Sequence, residues 1–274
     1  MATEAQKPAF KQITPDELSR LDLTKYWSEQ KLDGMLTYAV ISAEPIVAGA
    51  LSALSVVGSK TRVTLFSDRM VNNTSKYPHI VKQLSNIPGG GTILVGEIYL
   101  ENGNVFDVNT KANYGKARYA VFDIIQHEGV SVKDRPIEER RELVKSLIRD
   151  YQDRAMDCNM PLEGDWDMVV KHNWEGLVLK PKGSKYGVGW LKCKRLNEIK
   201  LEIKAHDPKE NNSKGAFILE GGNRCDALSP KYLEQFMAIK AAGKTPMGEL
   251  EYALITKDGK LFQPRLRQIF SKEI

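Results

Sequence analysis

The sequence predicts an α+β fold, a large domain built on antiparallel sheets followed by a compact β-barrel. Three observations predict it: short apolar runs bounded by polar turns recur from Tyr26 to about Arg195, two stretches of helical periodicity interrupt them, and after Arg195 the runs are separated by Gly and Asn turns. With 274 residues the chain suits one large and one small domain. The expected division is a short leader over 1–24, a first domain over 25–196 and a second over 197–274.

The leader is expected to carry one helix, because Thr14-Pro15-Asp16-Glu17 offers a capping residue, a proline at the first turn and early acids. Buried strands are expected at 36–41, 63–66, 92–100, 119–125 and 176–180. Helices are expected at 77–84 and 137–155, the latter with Leu143, Leu147 and Tyr151 on one face amid charges. After a short hinge, strands at 201–204, 215–219 and 250–255, with a helix at 230–242, fit a barrel of the OB type.

Apolar residues at 42% and charged residues at 27% exclude a disordered or fibrous chain. A net charge of +5 only weakly favours a nucleic-acid partner. The three cysteines, Cys158, Cys193 and Cys225, are too scattered for a disulfide framework or a metal site, so a reducing, cytoplasmic setting is expected. Residues 39–57 are broken by Ser, Glu, Pro and Gly and are not a membrane span, and the polar first twenty residues lack a signal-peptide core.

Lys31-Leu32-Asp33-Gly34 stands directly before an apolar strand. A lysine entering a buried strand end can be desolvated and presented as a neutral amine nucleophile. Taken alone, the tetrapeptide reads better as a hairpin turn with an exposed lysine. Its companions change that reading: Glu97 lies in an apolar strand, Glu175 opens another, and Lys192 and Lys194 share one face of a third. A nucleophilic lysine, two acids and a lysine pair are what nucleotidyl transfer requires, since phosphate oxygens need positive charge and hard carboxylates suit magnesium.

This ordered set resembles the covalent nucleotidyltransferase superfamily of DNA ligases, RNA ligases and mRNA capping enzymes, and is most similar to the short ATP-dependent DNA ligases of phages, viruses and some bacteria. The resemblance spans about residues 26–268. Lys31-Leu32-Asp33-Gly34 resembles the first family motif, Gly96-Glu97 the third and Tyr119-Ala120-Val121-Phe122-Asp123 the aromatic one. Residues 175–180 resemble the fourth motif and 190–194 the fifth.

The resemblance implies an adenylation (nucleotidyltransferase) domain followed by an OB-fold domain, with ATP as co-substrate, magnesium or manganese as the ion, and nicked double-stranded DNA as partner. It implies that Lys31 takes AMP, with Asp33 in the same catalytic motif. Glu97 would contact ribose or metal, and Glu175 would help bind metal. Phe122 would stack on adenine with Val178 on its other face, Glu29 would lie beside the adenine edge, and Lys192 and Lys194 would grip phosphate. Arg69 resembles the Ser-Arg segment that touches the nucleotide or the 5′-phosphate, and Arg265 and Arg267 resemble phosphate-handling residues of the last motif.

From charge alone, Lys180, Lys182, Lys185, Lys200 and Lys204 are candidate contacts to nucleic-acid phosphates. There are two departures from the family pattern: Leu36 stands where many DNA ligases carry arginine, and an Arg-x-Asp-Lys element is not recognisable at 270–273. An ATP-dependent RNA ligase or a GTP-using capping-type enzyme is therefore the alternative, and a non-catalytic nucleic-acid module the third reading, against which the intact set argues. Monomeric action is expected, with no membrane and no obligate protein partner.

Overall fold

The computed structural model describes residues 7–48, 55–87, 90–101, 103–151, 157–209, 212–226 and 229–272. It divides into two compact units between Lys194 and Arg195. In chain order, the first unit holds β1 (Lys11–Ile13), α1 (Pro15–Ser19), β2 (Tyr26–Lys31), β3 (Met35–Ala48), β4 (Ser55–Ser67) and α2 (Pro78–Leu84). It continues with β5 (Thr92–Tyr99), α3 (Val105–Val108), β6 (Arg118–His127), β7 (Val130–Ser131), α4 (Ile137–Tyr151), β8 (Cys158–Asn159), α5 (Trp166–Lys171), β9 (Gly176–Pro181) and β10 (Leu191–Lys194).

These strands form two sheets. A four-stranded sheet runs β1-β10-β9-β2, and a six-stranded sheet runs β4-β3-β5-β6-β7 with β8 beside β6. The apolar run of β5 is nearly continuous rather than alternating because both its faces are covered. On one face of the large sheet Ile41, Leu65, Leu94 and Tyr119 pack with Ile80 and Leu84 of α2 and Val144 and Leu147 of α4. On the other, Tyr38, Val95 and Ile125 pack with Phe122 and Tyr186. The small sheet has its own core, in which Leu177, Leu179 and Cys193 meet Leu18, Val169 and Trp174.

The expected leader is not a segment apart. β1 pairs in parallel with β10, and α1, closed by a Thr14/Glu17 capping box, buries Leu18 in the core of the small sheet; residues 1–6 lie outside the described residues. Within the segment 39–57, residues 39–48 of β3 and 55–57 of β4 belong to a long antiparallel pair, in which Arg62 meets Glu44 at 2.6 Å across the strands; residues 49–54 lie outside the described residues. The helix expected to reach 155 is described to Tyr151.

Two neighbouring arginines join α4 to the sheets. Arg140 and Asp123 are both fully buried, with Nε to Oδ1 at 2.8 Å and Nη2 to Oδ2 at 3.1 Å, and the Arg140 guanidinium also donates to the Ser184 carbonyl at 3.0 Å. Removing one partner of such a pair leaves a buried charge uncompensated. Arg140→Met is therefore expected to cost about 3–5 kcal/mol, read from the urea midpoint; an unshifted midpoint would show the pair to be structurally idle.

The second unit holds β11 (Asn197–Lys209), β12 (Asn212–Leu219), β13 (Arg224–Asp226), α6 (Pro230–Ala241), β14 (Pro246–Tyr252), β15 (Leu254–Ile255), β16 (Leu261–Phe262) and β17 (Arg265–Ser271). Five of the strands form an antiparallel sheet in the order β13-β12-β11-β14-β17, bulged within β11 and, at Arg267, within β17. Its core is Ile203, Phe217, Leu219, Leu250, Leu266 and Ile269, with Phe236 from α6. The end strands approach where the Cys225 thiol lies 3.4 Å from the Pro264 carbonyl, yet no ladder joins them among the described residues. This is the partly open five-stranded form of the OB barrel. Among the described residues no helix is long and apolar enough to cross a membrane.

Candidate functional site

The register of the small sheet assembles the first part of the site. In the middle strand, Gly176 lies opposite both Lys31 of β2 and Lys194 of β10, and Val178 lies opposite both Glu29 and Lys192. Only glycine fits at 176, because its φ is +153° and an added Cβ would stand 2.0 Å from the Cys193 carbonyl oxygen. Glu175, one residue earlier, pairs with both flanking lysines: Oε2 lies 2.6 Å from Lys31 Nζ and Oε1 lies 3.0 Å from Lys194 Nζ.

The large sheet supplies Glu97 from β5, and the Gly34 backbone N–H donates to its carboxylate. Gly34 approaches so closely that a Cβ there would sit 2.2 Å from the Ile98 carbonyl oxygen. Asp33 accepts from the Val105 N–H at 3.3 Å, at the start of α3.

Burial pushes the Glu97 carboxyl up to about 8; Lys31 opposes the shift and Glu175 adds to it. Burial and the Glu175 charge raise Asp33 as well. For Lys31, burial favours the neutral amine, but the carboxylates of Glu175, Glu97 and Asp33 outweigh it and hold the ammonium above its ordinary value. The neutral amine expected from strand-end burial is thus not what this arrangement gives. Releasing the proton requires the surrounding carboxylate charge to be neutralised. Lys192 is shifted down by burial, then by Lys31, Lys194 and Lys7.

A cavity of about 370 Å³ opens beside these groups, with Lys31, Glu97, Lys192, Glu29, Phe122 and Val178 in its wall. Phe122 comes from the large sheet and Val178 from the small one, and both are apolar residues of the cavity wall. Leu36 also lines the cavity, as an apolar wall residue.

Lys180 is misplaced by the charge-based reading. It is 1% exposed, with Nζ 2.6 Å from Glu29 and 2.7 Å from the Phe122 carbonyl, and it stands 5.0 Å over the Phe122 ring and 4.7 Å over Trp190. Burial pulls its ammonium down to about 7. It is a buried wall residue and not a contact for nucleic acid. Glu29 is equally buried and also pairs with Arg141 of α4, whose guanidinium stacks 4.5 Å over Trp27. Sequence reasoning missed Arg141 because an arginine on a charged helix reads as a solvated one. It also missed Lys7, Phe10 and Asp68, all of which line the cavity.

The remaining candidates lie elsewhere. Arg69 sits on an exposed turn and does not line the cavity, although its neighbour Asp68 does. Lys182 stands 5.6 Å over Trp27, and Lys185 pairs with Asp134 at 3.0 Å on the surface. In the second unit, Arg265 is exposed and Arg267 pairs with Glu251 at 2.5 Å. Lys200 lies 5.4 Å over Phe270, and Lys204 pairs with Glu202 at 2.6 Å.

Among the described residues no group of three or more His, Cys, Asp or Glu is placed to hold a metal ion. Both Glu175 oxygens face lysines, whereas Glu97 has no ion-pair partner within 4 Å among the described residues. Magnesium is commonly held by one or two carboxylates, with substrate phosphates and water completing its shell, and Glu97 fits that role.

Comparison with known proteins bears on this geometry. The family model described as "ATP dependent DNA ligase domain" matches residues 54–200, more than half of the chain. The chain belongs to this family. The match begins downstream of Lys31. The DNA ligase of Archaeoglobus fulgidus is 26% identical over 54% of this chain and 31% of its own length, and that of Methanocorpusculum labreanum is 26% identical over 67% and 38%. This chain therefore spans about a third of the length of those archaeal ligases. The SPbeta prophage-derived DNA ligase-like protein of Bacillus subtilis is 25% identical over 54% of this chain and 60% of that protein. A solved structure from a study of Lig E DNA ligases, 14% identical, matches 97% of this chain and 98% of that one with a TM-score of 0.62. Another, Pmar-Lig_Pre, is 17% identical with a TM-score of 0.70 and covers 96% and 67%. At such identities these structures establish a shared fold.

Glu97 gives the ligase fold a pH dependence. As pH rises past the ordinary glutamate value of roughly 4.3, the unfolded chain releases this proton first, so stability falls until the folded carboxyl ionises near pH 8. Glu97→Gln lacks that slope. The wild type is expected to lose urea stability relative to the variant between pH 5 and pH 8 and not beyond; parallel pH profiles would contradict the shift.

Proposed function

We propose that this chain is an ATP-dependent DNA ligase that seals 5′-phosphate/3′-hydroxyl nicks in duplex DNA. The observation that carries this reading is Lys31, held by Glu175 and close to Glu97 at a cavity walled by Phe122 and Val178, in a chain of the ATP-dependent DNA ligase family.

In the first step Lys31 Nζ gives up a proton and attacks the α-phosphorus of ATP. An N–P bond forms, and the bond to pyrophosphate breaks. Next, a 5′-phosphate oxygen at the nick attacks the same phosphorus, releases lysine and leaves AMP on the DNA. Finally the 3′-hydroxyl attacks the 5′-phosphate, forms the phosphodiester and expels AMP. Phe122 and Val178 hold the adenine, Glu29 stands at its edge, and Lys192 and Lys194 offset charge on the phosphates. A magnesium or manganese ion held by Glu97, beside Glu175, would neutralise phosphate charge and favour loss of the Lys31 proton. The three cysteines are buried, and their scatter along the chain fits a reducing cytoplasm, where the enzyme acts as a monomer on DNA.

Incubation with α-labelled ATP and magnesium, followed by a denaturing gel, is expected to label the wild type and leave Lys31→Ala unlabelled. A labelled variant, or an unlabelled wild type, rejects the lysyl-AMP reading. Nicked DNA is expected to be sealed faster than nicked RNA, and with ATP rather than GTP; the reverse preference would favour an RNA ligase or a capping-type enzyme.

A further inference from the structure

The cavity has a cation that none of the ligase motifs contains. Lys7 and Phe10 line it just ahead of β1. This segment is tied to the phosphate-facing strand: the Lys11 N–H donates to the Trp190 carbonyl at 2.9 Å, and the Phe10 ring packs 5.5 Å from that of Trp190. Lys192 Nζ stands 5.9 Å over Phe10. Lys7 itself reaches Asp68, just after β4 in the large sheet, at 3.0 Å. A link between segments of the two sheets therefore runs along the rim of the cavity.

The other lysines of the site are largely committed. Lys31 and Lys194 share Glu175, and Lys180 is buried on Glu29. Lys192 has no salt-bridge partner among the described residues, and part of its downward shift comes from Lys7. With Lys194 shared with Glu175, a polyanionic triphosphate gains from a further cation beside Lys192. The Lys7–Asp68 pair is open to solvent, with side-chain exposures of 61% and 33%, and such pairs contribute about 0–1 kcal/mol. A charge-assisted bond to phosphate is stronger, so exchange of partners is favourable.

We propose that Lys7 is a phosphate-binding residue of this site, which leaves Asp68 to hold the pyrophosphate end of ATP. The assignment rests on the nucleotide site proposed above. It explains why an acidic residue lines a cavity meant for phosphate: Asp68 parks the lysine while the triphosphate is absent.

The test is calorimetric binding of magnesium pyrophosphate to the non-adenylated full chain. Lys7→Met is expected to weaken it about tenfold, Lys7→Arg to retain it, and Asp68→Asn to tighten it. Affinity for AMP, which lacks the leaving phosphates, should fall far less in Lys7→Met. In self-adenylation the same variant should raise the KM for ATP more than it lowers kcat. Undiminished pyrophosphate binding in Lys7→Met overturns the proposal, as does an equal loss for AMP and pyrophosphate, which would mark a purely structural latch. If the wild type took no label from ATP, the ligase reading would fall while the pyrophosphate titration still decided Lys7.

Discussion

The Glu175 carboxylate bridges Lys31 and Lys194, and the bridge depends on β9 lying between β2 and β10 with both lysines in register at Gly176. A side chain at 176 would collide with the backbone of β10 and part the strands. A one-residue slip of either neighbour would turn its lysine to the opposite face. The bridge also bears on the protonation of Lys31. Three carboxylates around one lysine keep it an ammonium, while burial, with the Glu175 charge added, raises Glu97 and Asp33. The group of charges is thus poised to shed a proton when a cation or a polyphosphate alters its balance.

A second layer of buried charge supports the cavity wall. Adjacent residues of α4 serve two different carboxylates, Arg140 on Asp123 of the large sheet and Arg141 on Glu29 of the small one. Adjacent residues of one helix therefore tie down the strand that carries Phe122 and the strand that pairs with Val178. Buried pairs of this kind add little net stability, but breaking one is costly, so their use here is to fix geometry.

Residues whose chemistry is unusual for their surroundings were legible in the sequence. An acid inside the apolar run of β5, a glutamate before a glycine that opens a strand, and two lysines alternating on one face stand out by pattern, and the structure brings Lys31, Asp33, Glu97, Glu175, Lys192 and Lys194 together. What could not be read was whatever depends on a distant partner. Lys180 looks like any strand-end lysine until Glu29 is brought opposite its strand, and Arg141 looks like any helix charge until it meets that same carboxylate. The leader failed for the same reason. A three-residue strand carries no periodicity, and Lys11–Ile13 is a strand only because β10 offers a parallel edge some 180 residues later.

That parallel edge has a consequence for how the chain matures as it is made. The six-stranded sheet draws its strands from residues 35–159 and can pair as that span emerges from the ribosome. The four-stranded sheet takes its first two strands from near the start of the chain and the other two from residues 176–194. The pairing partners of Lys31 are therefore translated last in this unit, and Lys11–Ile13 must wait until β10 exists. Loop closure over such separations is slow, and an unpaired strand is open to wrong partners meanwhile. The nascent chain thus acquires a folded scaffold before it can bring Glu175 and Lys194 to Lys31.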